Sequence, residues 1–337
     1  MENKKYNVAI VGATGLVGGT FLKVLAEVKF PINNLRLLAS AKSAGKVIVY
    51  EGKEYIVEEL NENSFDGMDL ALFSAGASVS KIYAPIAEAK GCLVIDNSSC
   101  FRNDTDKALI VPEVNAFDAD PALGFSRIIA NPNCSTIQAI IPLKPLAEKY
   151  GLKRVVYTTY QAVSGSGMKG ILDLEKSLKG EKCTFYPYNI SETCIPEIDV
   201  ALDNGYTKEE MKMVNETRKM LHLPDLKVSA TCVRVPVKNS HAVSIMVELE
   251  KQFDVEEVKK LIANYPGLAL VDDLKNHKYP VSQLSNGNNL VYVGRIRRDL
   301  SCDNGLLLYT VGDNIRKGAA SNAVQIAEYM DEKGWIK

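Results

Sequence analysis

The chain has 337 residues, 46% of them apolar and 24% charged, with a formal net charge of −1 at pH 7. That length suits two domains rather than one core, and the near-neutral balance argues against a nucleic-acid or anionic-membrane surface as the main partner. No apolar run approaches the roughly 20 residues that span a bilayer, and the opening "MENKKYNVAIVGATG" enters a strand with no room for a signal peptide, so a cytoplasmic location is expected.

Residues 6–13, "YNVAIVGA", form a continuous apolar run ended by glycine, as a strand buried on both faces does. Residues 16–30 set Leu16, Val17, Phe21, Val24, Leu25 and Val28 at helical spacing. Further strands are expected at 34–40, 68–76 and 91–99, with a helix at 78–90. Strands alternating with helices predict a doubly wound parallel sheet, an α/β fold with an N-terminal Rossmann-like dinucleotide-binding domain. Beyond residue 134 the style changes. Residues 154–164, 228–237 and 241–250 are β-branched and partly alternating, and read as longer strands of a mixed, largely antiparallel sheet with one solvated face. Helices are expected at 168–179, 207–221 and 254–263. The amphipathic stretch 317–335 is expected to return to the first domain. The expected division is therefore 1–133 with 317–337, and an α+β domain over 134–316.

The first strand runs into "GATGLVG", with Gly12, Gly15 and Gly18 at a G-x-x-G-x-x-G spacing. Such glycines allow a tight turn and a close approach of backbone N–H groups to a pyrophosphate. A plain strand–helix turn can carry one or two of them; a buried strand before and an amphipathic helix after favour dinucleotide binding. The second strand is followed by "SAKSAGK", with Ser40, Lys42, Ser43 and Lys46 and no acid. An acid there would hold a ribose 2′-OH, whereas hydroxyls and a cation suit a 2′-phosphate, so NADP(H) is favoured over a loop of merely solvated lysines.

Seven cysteines, an odd number without a C-x-x-C, give no disulfide framework and no zinc pattern, and no metal is expected. Most read as small buried residues. Cys134 differs, because "ANPNCSTIQAII" sets it at the mouth of a helix, where partial positive charge stabilises a thiolate. By itself the position fits a nucleophile and a buried cap-side residue equally well. Hydride chemistry on an aldehyde decides between them: a thiolate adds to give a thiohemiacetal, hydride leaves, and a thioester remains. That scheme needs an acid/base near the sulfur, and histidine suits pH 7. His222 ends a helix and reads as a cap, and His277 lies in a polar loop. His241 starts a strand and is expected on a loop at a sheet edge, which makes it the preferred candidate.

With these pieces in place the chain resembles the bacterial aspartate-β-semialdehyde dehydrogenases, collinearly through "VAIVGATGLVG", "SAGASVS", "IDNSSCFR", "VPEVN", "ANPNCST", "TTYQAVSGSG", "NETRKML", "RVPVKNSH" and "GDNIRKGAASNAVQIAE". The resemblance implies a nucleophile at Cys134, an acid/base at His241, and an orienting glutamine at Gln161. It implies substrate contacts from Arg234 to an α-carboxylate, from Glu216 to an α-ammonium, and from Arg102 and Lys219 to phosphate. Glu216 and Lys219 are i,i+3 on one helix face, a spacing that a solvated ion pair also has. For the cofactor it implies Gly12, Thr14, Gly15, Leu16 and Val17 at the pyrophosphate, and Ser40, Lys42 and Ser43 at the adenosine phosphate. Ser74, Ala75 and Gly76 would flank the ribose, with Gly165 and Asn314 near the nicotinamide. Many members have Arg where this chain has Lys42, and Gly where it has Ser240. The implied reaction is NADPH-dependent, reversible reductive dephosphorylation of L-aspartyl-4-phosphate to L-aspartate-4-semialdehyde, in lysine, threonine and methionine biosynthesis, by a homodimer or homotetramer. An N-acetyl-γ-glutamyl-phosphate reductase, which typically has Gly where Asn133 stands, and a non-catalytic NADPH-binding regulator are the rival readings.

Overall fold

The computed structural model describes residues 4–336. The chain divides into two units, Met1–Pro132 with Ala319–Lys337, and Asn133–Gly318. The expected bounds also take in residues 1–3 and 337, which lie outside the described residues.

In the N-terminal unit the apolar run at the start becomes β1 (Tyr6–Val11), whose Val8, Ile10 and Val11 are fully buried. It runs into α1 (Leu16–Glu27), where Phe21, Val24 and Leu25 pack inward. Each such side chain contributes about 1.5–3 kcal/mol by leaving water. The helix stops short of the expected residue 30 for a local reason. Lys29 takes a left-handed φ of +53°, and the N–H of Phe30 turns back to the carbonyl of Leu25 at 2.9 Å. That closure satisfies an end carbonyl and drops Phe30 into the core. Next come β2 (Ile32–Ala39), β3 (Val47–Tyr50), β4 (Lys53–Ile56), β5 (Glu58–Glu59), β6 (Leu70–Phe73), α2 (Ala77–Ala89), β7 (Leu93–Asp96), α3 (Pro112–Asn115) and β8 (Ile128–Ala130). Among the described residues β5-β2-β1-β6-β7-β8 form a six-stranded sheet with every pairing parallel. The hairpin β3–β4 turns on Glu51 and Gly52, both at positive φ as a tight two-residue turn demands.

The chain end returns to this unit. The stretch expected as one helix over 317–335 is a wide π turn at Arg316–Ala320 followed by a C-terminal α-helix, Ser321–Glu332. Ala323, Val324, Ile326, Ala327 and Met330 of that helix join the core that contains Phe21 and Leu25. Tyr6 donates its hydroxyl to Asp331 at 2.6 Å, and Lys4 donates to the carbonyl of Ile336 at 2.9 Å.

The C-terminal unit begins with α4 (Cys134–Tyr150), β9 (Leu152–Gln161), α5 (Met168–Ser177) and α6 (Lys208–Met220). It continues through β10 (Lys227–Arg234), β11 (His241–Leu249), α7 (Val255–Ala263), β12 (Leu268–Leu270), α8 (Ser282–Ser285), β13 (Val291–Arg298) and β14 (Gly305–Gly312). The sheet order is β10-β9-β11-β14-β13-β12, with β9–β11, β11–β14 and β13–β14 antiparallel and the two outer pairings parallel. Burial alternates with period two: Val155, Tyr157, Thr159 and Gln161 of β9 are buried, while Arg154 and Tyr160 are exposed. The fold is thus α/β, a parallel Rossmann-like sheet in one unit and a mixed sheet in the other. No helix among the described residues is long and apolar enough to cross a membrane.

Candidate active site

Cys134 is the first residue of α4, and Asn133 is its N-cap. The Asn133 Oδ1 accepts from the N–H groups of Ser135 at 2.9 Å and Thr136 at 3.2 Å, satisfying donors that the helix leaves over. The rest of Asn133 is held as well: its backbone N–H donates to Glu216 Oε2 at 2.6 Å, and its Nδ2 to Glu209 Oε1 at 2.9 Å. Cys134 is partly exposed. By contrast Cys92 is buried, and burial pushes its thiol up to about 11; burial pushes the Cys232 thiol up as well. Those two are packing residues, but the expectation that most cysteines are buried is corrected: Cys100, Cys134, Cys183 and Cys302 are partly exposed and Cys194 is exposed.

His241 is fully buried at the start of β11. The expectation of a sheet edge is corrected: β11 lies between β9 and β14, inside the sheet, with His241 opposite Gly312. The loop after β10 carries the chain past β9 before it re-enters, which local sequence does not reveal. The N–H of Ala162 donates to His241 Nδ1 at 2.9 Å. A backbone N–H can only donate, so Nδ1 is an acceptor and the neutral ring carries its hydrogen on Nε2. Nε2 is buried with no hydrogen-bond partner among the described residues. Burial, reinforced by the Arg234 guanidinium, pushes the imidazole down to about 3, with Glu209 pulling the other way. Arg234 donates through Nη1 to the carbonyl of Ala162 at 2.7 Å. Gly165 sits against both groups, since a Cβ there would lie 2.9 Å from Arg234 Nη1 and 3.1 Å from His241 Nε2.

Gln161, the last residue of β9, is buried. Its Nε2 donates to Glu209 Oε1 at 3.1 Å and its Oε1 accepts from the Thr159 hydroxyl at 3.0 Å. Glu209 escapes the sequence reading altogether. It is a buried carboxylate in the first turn of α6, bonded to Lys212 at 2.9 Å, and Lys212 also reaches Asp199 at 2.8 Å. Burial pushes this carboxyl upward, but Lys212 and the donors from Asn133 and Gln161 outweigh it and hold Glu209 below the usual carboxylate range. The spacing 209, 212, 216, 219 puts two Glu–Lys pairs a heptad apart on one face of α6. That repeat is the signal from which Glu209 could have been found.

Glu216 is thus brought to the Cys134 loop, and Lys219 is half-buried on the same helix. Asn314 has both ends of its amide engaged: Oδ1 accepts from the Ser240 N–H at 2.9 Å, and Nδ2 donates to Ser164 Oγ at 3.0 Å. It therefore braces the loop that leads into His241. Ser240 adopts a φ of +74°, the left-handed region that favours glycine, and its hydroxyl accepts from Ser285 at 2.7 Å and donates to Asn286. Arg102 belongs to the N-terminal unit, buried, with Nε on the carbonyl of Asn131 and Nη2 on that of Asn97.

In the N-terminal unit a cavity of about 510 Å³ opens beside the glycine turn. Of the residues named from the sequence, Gly12, Thr14, Gly15, Ser40, Ser74 and Ala75 line it. Leu16 and Val17 open α1, Lys42 and Ser43 lie in the turn beside Ala41, and Gly76 caps α2. The backbone itself makes this shape. Gly12 has φ +86°, with Ser74 3.0 Å from where a Cβ would stand, and a Cβ on Gly18 would lie 2.2 Å from the Gly12 carbonyl. The cap of α1, Gly15, offers no side chain to its first N–H groups. A pyrophosphate fits such a cradle. Glu59 of β5, next to Ala39 in register, also lines the cavity, so an acid missing from the second strand arrives from its neighbour.

The semialdehyde dehydrogenase NAD-binding domain matches residues 7–122, and the semialdehyde dehydrogenase dimerisation domain matches residues 143–317. An aspartate-semialdehyde dehydrogenase of Aquifex aeolicus (strain VF5) is 52% identical over 341 residues, covering 98% of this chain and 99% of that one. The chain belongs to the aspartate-semialdehyde dehydrogenase family. Among solved members, the Vibrio cholerae aspartate semialdehyde dehydrogenase II complexed with ASA superposes with a TM-score of 0.93 at 45% identity, over 98% of this chain and 99% of that one. The Candida albicans member with NADP gives 0.79 at 26% identity, over 99% and 100%. As a member of this family the chain is an oxidoreductase with a nicotinamide-dinucleotide domain and a dimerisation domain.

Proposed function

We propose that the protein reduces L-aspartyl-4-phosphate to L-aspartate-4-semialdehyde with NADPH, reversibly and through a thioester on Cys134. The Cys134 thiolate attacks the acyl carbon, a C–S bond forms, and the C–O bond to phosphate breaks. The nicotinamide, when bound, supplies the hydride in this direction and accepts it in reverse. The resulting thiohemiacetal opens to release the aldehyde and the thiolate. The cap of α4 favours the charged sulfur. At neutral pH His241 is uncharged and carries its hydrogen on Nε2, so it can hold the oxygen of each tetrahedral adduct by a hydrogen bond. Full proton transfer at Nε2 requires a second hydrogen on Nδ1, and therefore release of Ala162. Arg234 suits the α-carboxylate, Glu216 the α-ammonium, and Lys219 and Arg102 the phosphate.

The observation that carries this reading is a chain of hydrogen bonds. Asn133 caps the helix of Cys134 and shares Glu209 Oε1 with Gln161, and the residue after Gln161 donates to His241. The relatives do not favour the N-acetyl-γ-glutamyl-phosphate reductase or the idle regulator. NADP(H) is the proposed cofactor, with the hydroxyls of Ser40 and Ser43 and the Lys42 cation receiving the 2′-phosphate against the Glu59 carboxylate of the same cavity; the Candida albicans member with NADP supports this. We further propose a homodimer or homotetramer built on the open face of the mixed sheet, where Tyr160 is 39% exposed with its ring 6.2 Å from that of Tyr309. A cytoplasmic location agrees with seven cysteines, none of them in a disulfide. The test is phosphate-dependent reduction of NADP+ with aspartate semialdehyde. Cys134→Ser is expected to lose about 10³-fold or more in turnover while keeping its fold and cofactor affinity. Wild-type turnover in that variant would exclude the covalent scheme.

A further inference from the structure

Two amides, those of Asn133 and Gln161, donate to one oxygen of Glu209, and each needs a defined orientation. Asn133 has its orientation set twice. A flipped Asn133 amide would turn its NH₂ toward the N–H groups of Ser135 and Thr136, donor against donor. Gln161 has no such second constraint, because the Thr159 hydroxyl at its Oε1 can donate or accept. What selects the Gln161 orientation is Glu209. Its Oε1 accepts from Gln161 Nε2 and from Asn133 Nδ2, and a flipped Gln161 would set carbonyl against carboxylate. Lys212 balances the charge from the other carboxylate oxygen, Oε2, and is itself fixed by Asp199. A buried, doubly accepting carboxylate is costly unless every lone pair it turns inward is used. Here the inward oxygen is used on the amide that caps the helix of Cys134 and on that of Gln161.

We infer that Glu209, paired with Lys212, is a positioning residue that fixes the amide of Gln161 and, jointly with the helix cap, that of Asn133. It acts through these side chains and need not touch substrate. The inference rests on the role proposed above for Gln161, and a double-mutant cycle separates the two. Glu209→Gln keeps the volume but places an NH₂ where it competes for the same partners. It is expected to lower kcat about 10–100-fold, the cost of a small misplacement at a reacting centre, with KM changed by less than about threefold. Gln161→Ala is expected to be slow as well, and adding Glu209→Gln to it should lower kcat by no more than about threefold further, since the group being positioned is gone. Alkylation of Cys134 by iodoacetamide should stay within about threefold of wild type in Glu209→Gln, because the cap holds Asn133 independently; a collapsed site would not preserve it. Should Glu209→Gln lose cooperative unfolding, Glu209→Asp enters the same cycle, keeping the charge for Lys212 while drawing the oxygen back by one methylene. Wild-type kcat in the Glu209 variant, or losses that multiply in the double variant, would overturn the inference alone. Wild-type kcat in Gln161→Ala would overturn the role of Gln161 and this inference with it.

Discussion

The dinucleotide cradle and the cysteine end of the second unit are built by opposite means. The cradle is a shape obtained by leaving atoms out: Gly12 and Gly18 bring backbone against backbone. The cysteine end is a set of polar side chains, Asn133, Gln161, Glu209 and His241, drawn from four separate elements and joined by hydrogen bonds. A site made of backbone should be destroyed by adding a methyl group and should tolerate changes of charge. A site made of side chains should fail when one donor or acceptor is exchanged with its volume kept.

The largest effect expected from that contrast is at Gly18. In Gly18→Ala the new Cβ would stand 2.2 Å from the Gly12 carbonyl. Stability should fall by about 1–3 kcal/mol and dinucleotide affinity by about tenfold or more. Urea unfolding and fluorescence titration would read both, while iodoacetamide alkylation of Cys134 without cofactor should stay unchanged. An unaltered dinucleotide affinity would contradict the backbone-made cradle.

The second effect concerns pH. The folded His241 is pushed down to about 3 from an ordinary value near 6.5. The unfolded chain therefore binds the extra proton between those values, and stability falls as pH drops from about 6.5 toward 3. Compared with His241→Asn, whose amide oxygen can accept from Ala162, wild type should lose up to about 1.4 kcal/mol more per pH unit in that window. Parallel acid limbs in the two proteins would show that the buried imidazole does not contribute. The smallest effect is at Ser240. Ser240→Gly relieves a side chain at φ +74° but removes hydrogen bonds to Asn286 and Ser285. The two terms oppose, and stability should change by less than about 1 kcal/mol by urea titration.

The same contrast explains what could be read in advance. The glycine turn, β1 and the amphipathic helices are local patterns, so α6 and α7 fall within a residue or so of the expected 207–221 and 254–263. The strands β13 and β14 are not legible locally, because "VYVGRIRR" and "GLLLYTVG" gain their meaning from pairing with each other and, for β14, with β11, some sixty residues away. The interior position of His241 is likewise a matter of strand order, which no local window contains. Glu209 looked like one more acid in the first turn of a charged helix; only the fold sets it against Gln161.

The C-terminal helix completes the core of the unit that the first residues begin, and Tyr6 and Asp331 join the two ends of the chain. During synthesis that first unit is therefore still short of one wall when all of Asn133–Gly318 has been made. The order of completion is inverted: the unit begun first is completed last, because its closing helix is made after the whole of the middle segment.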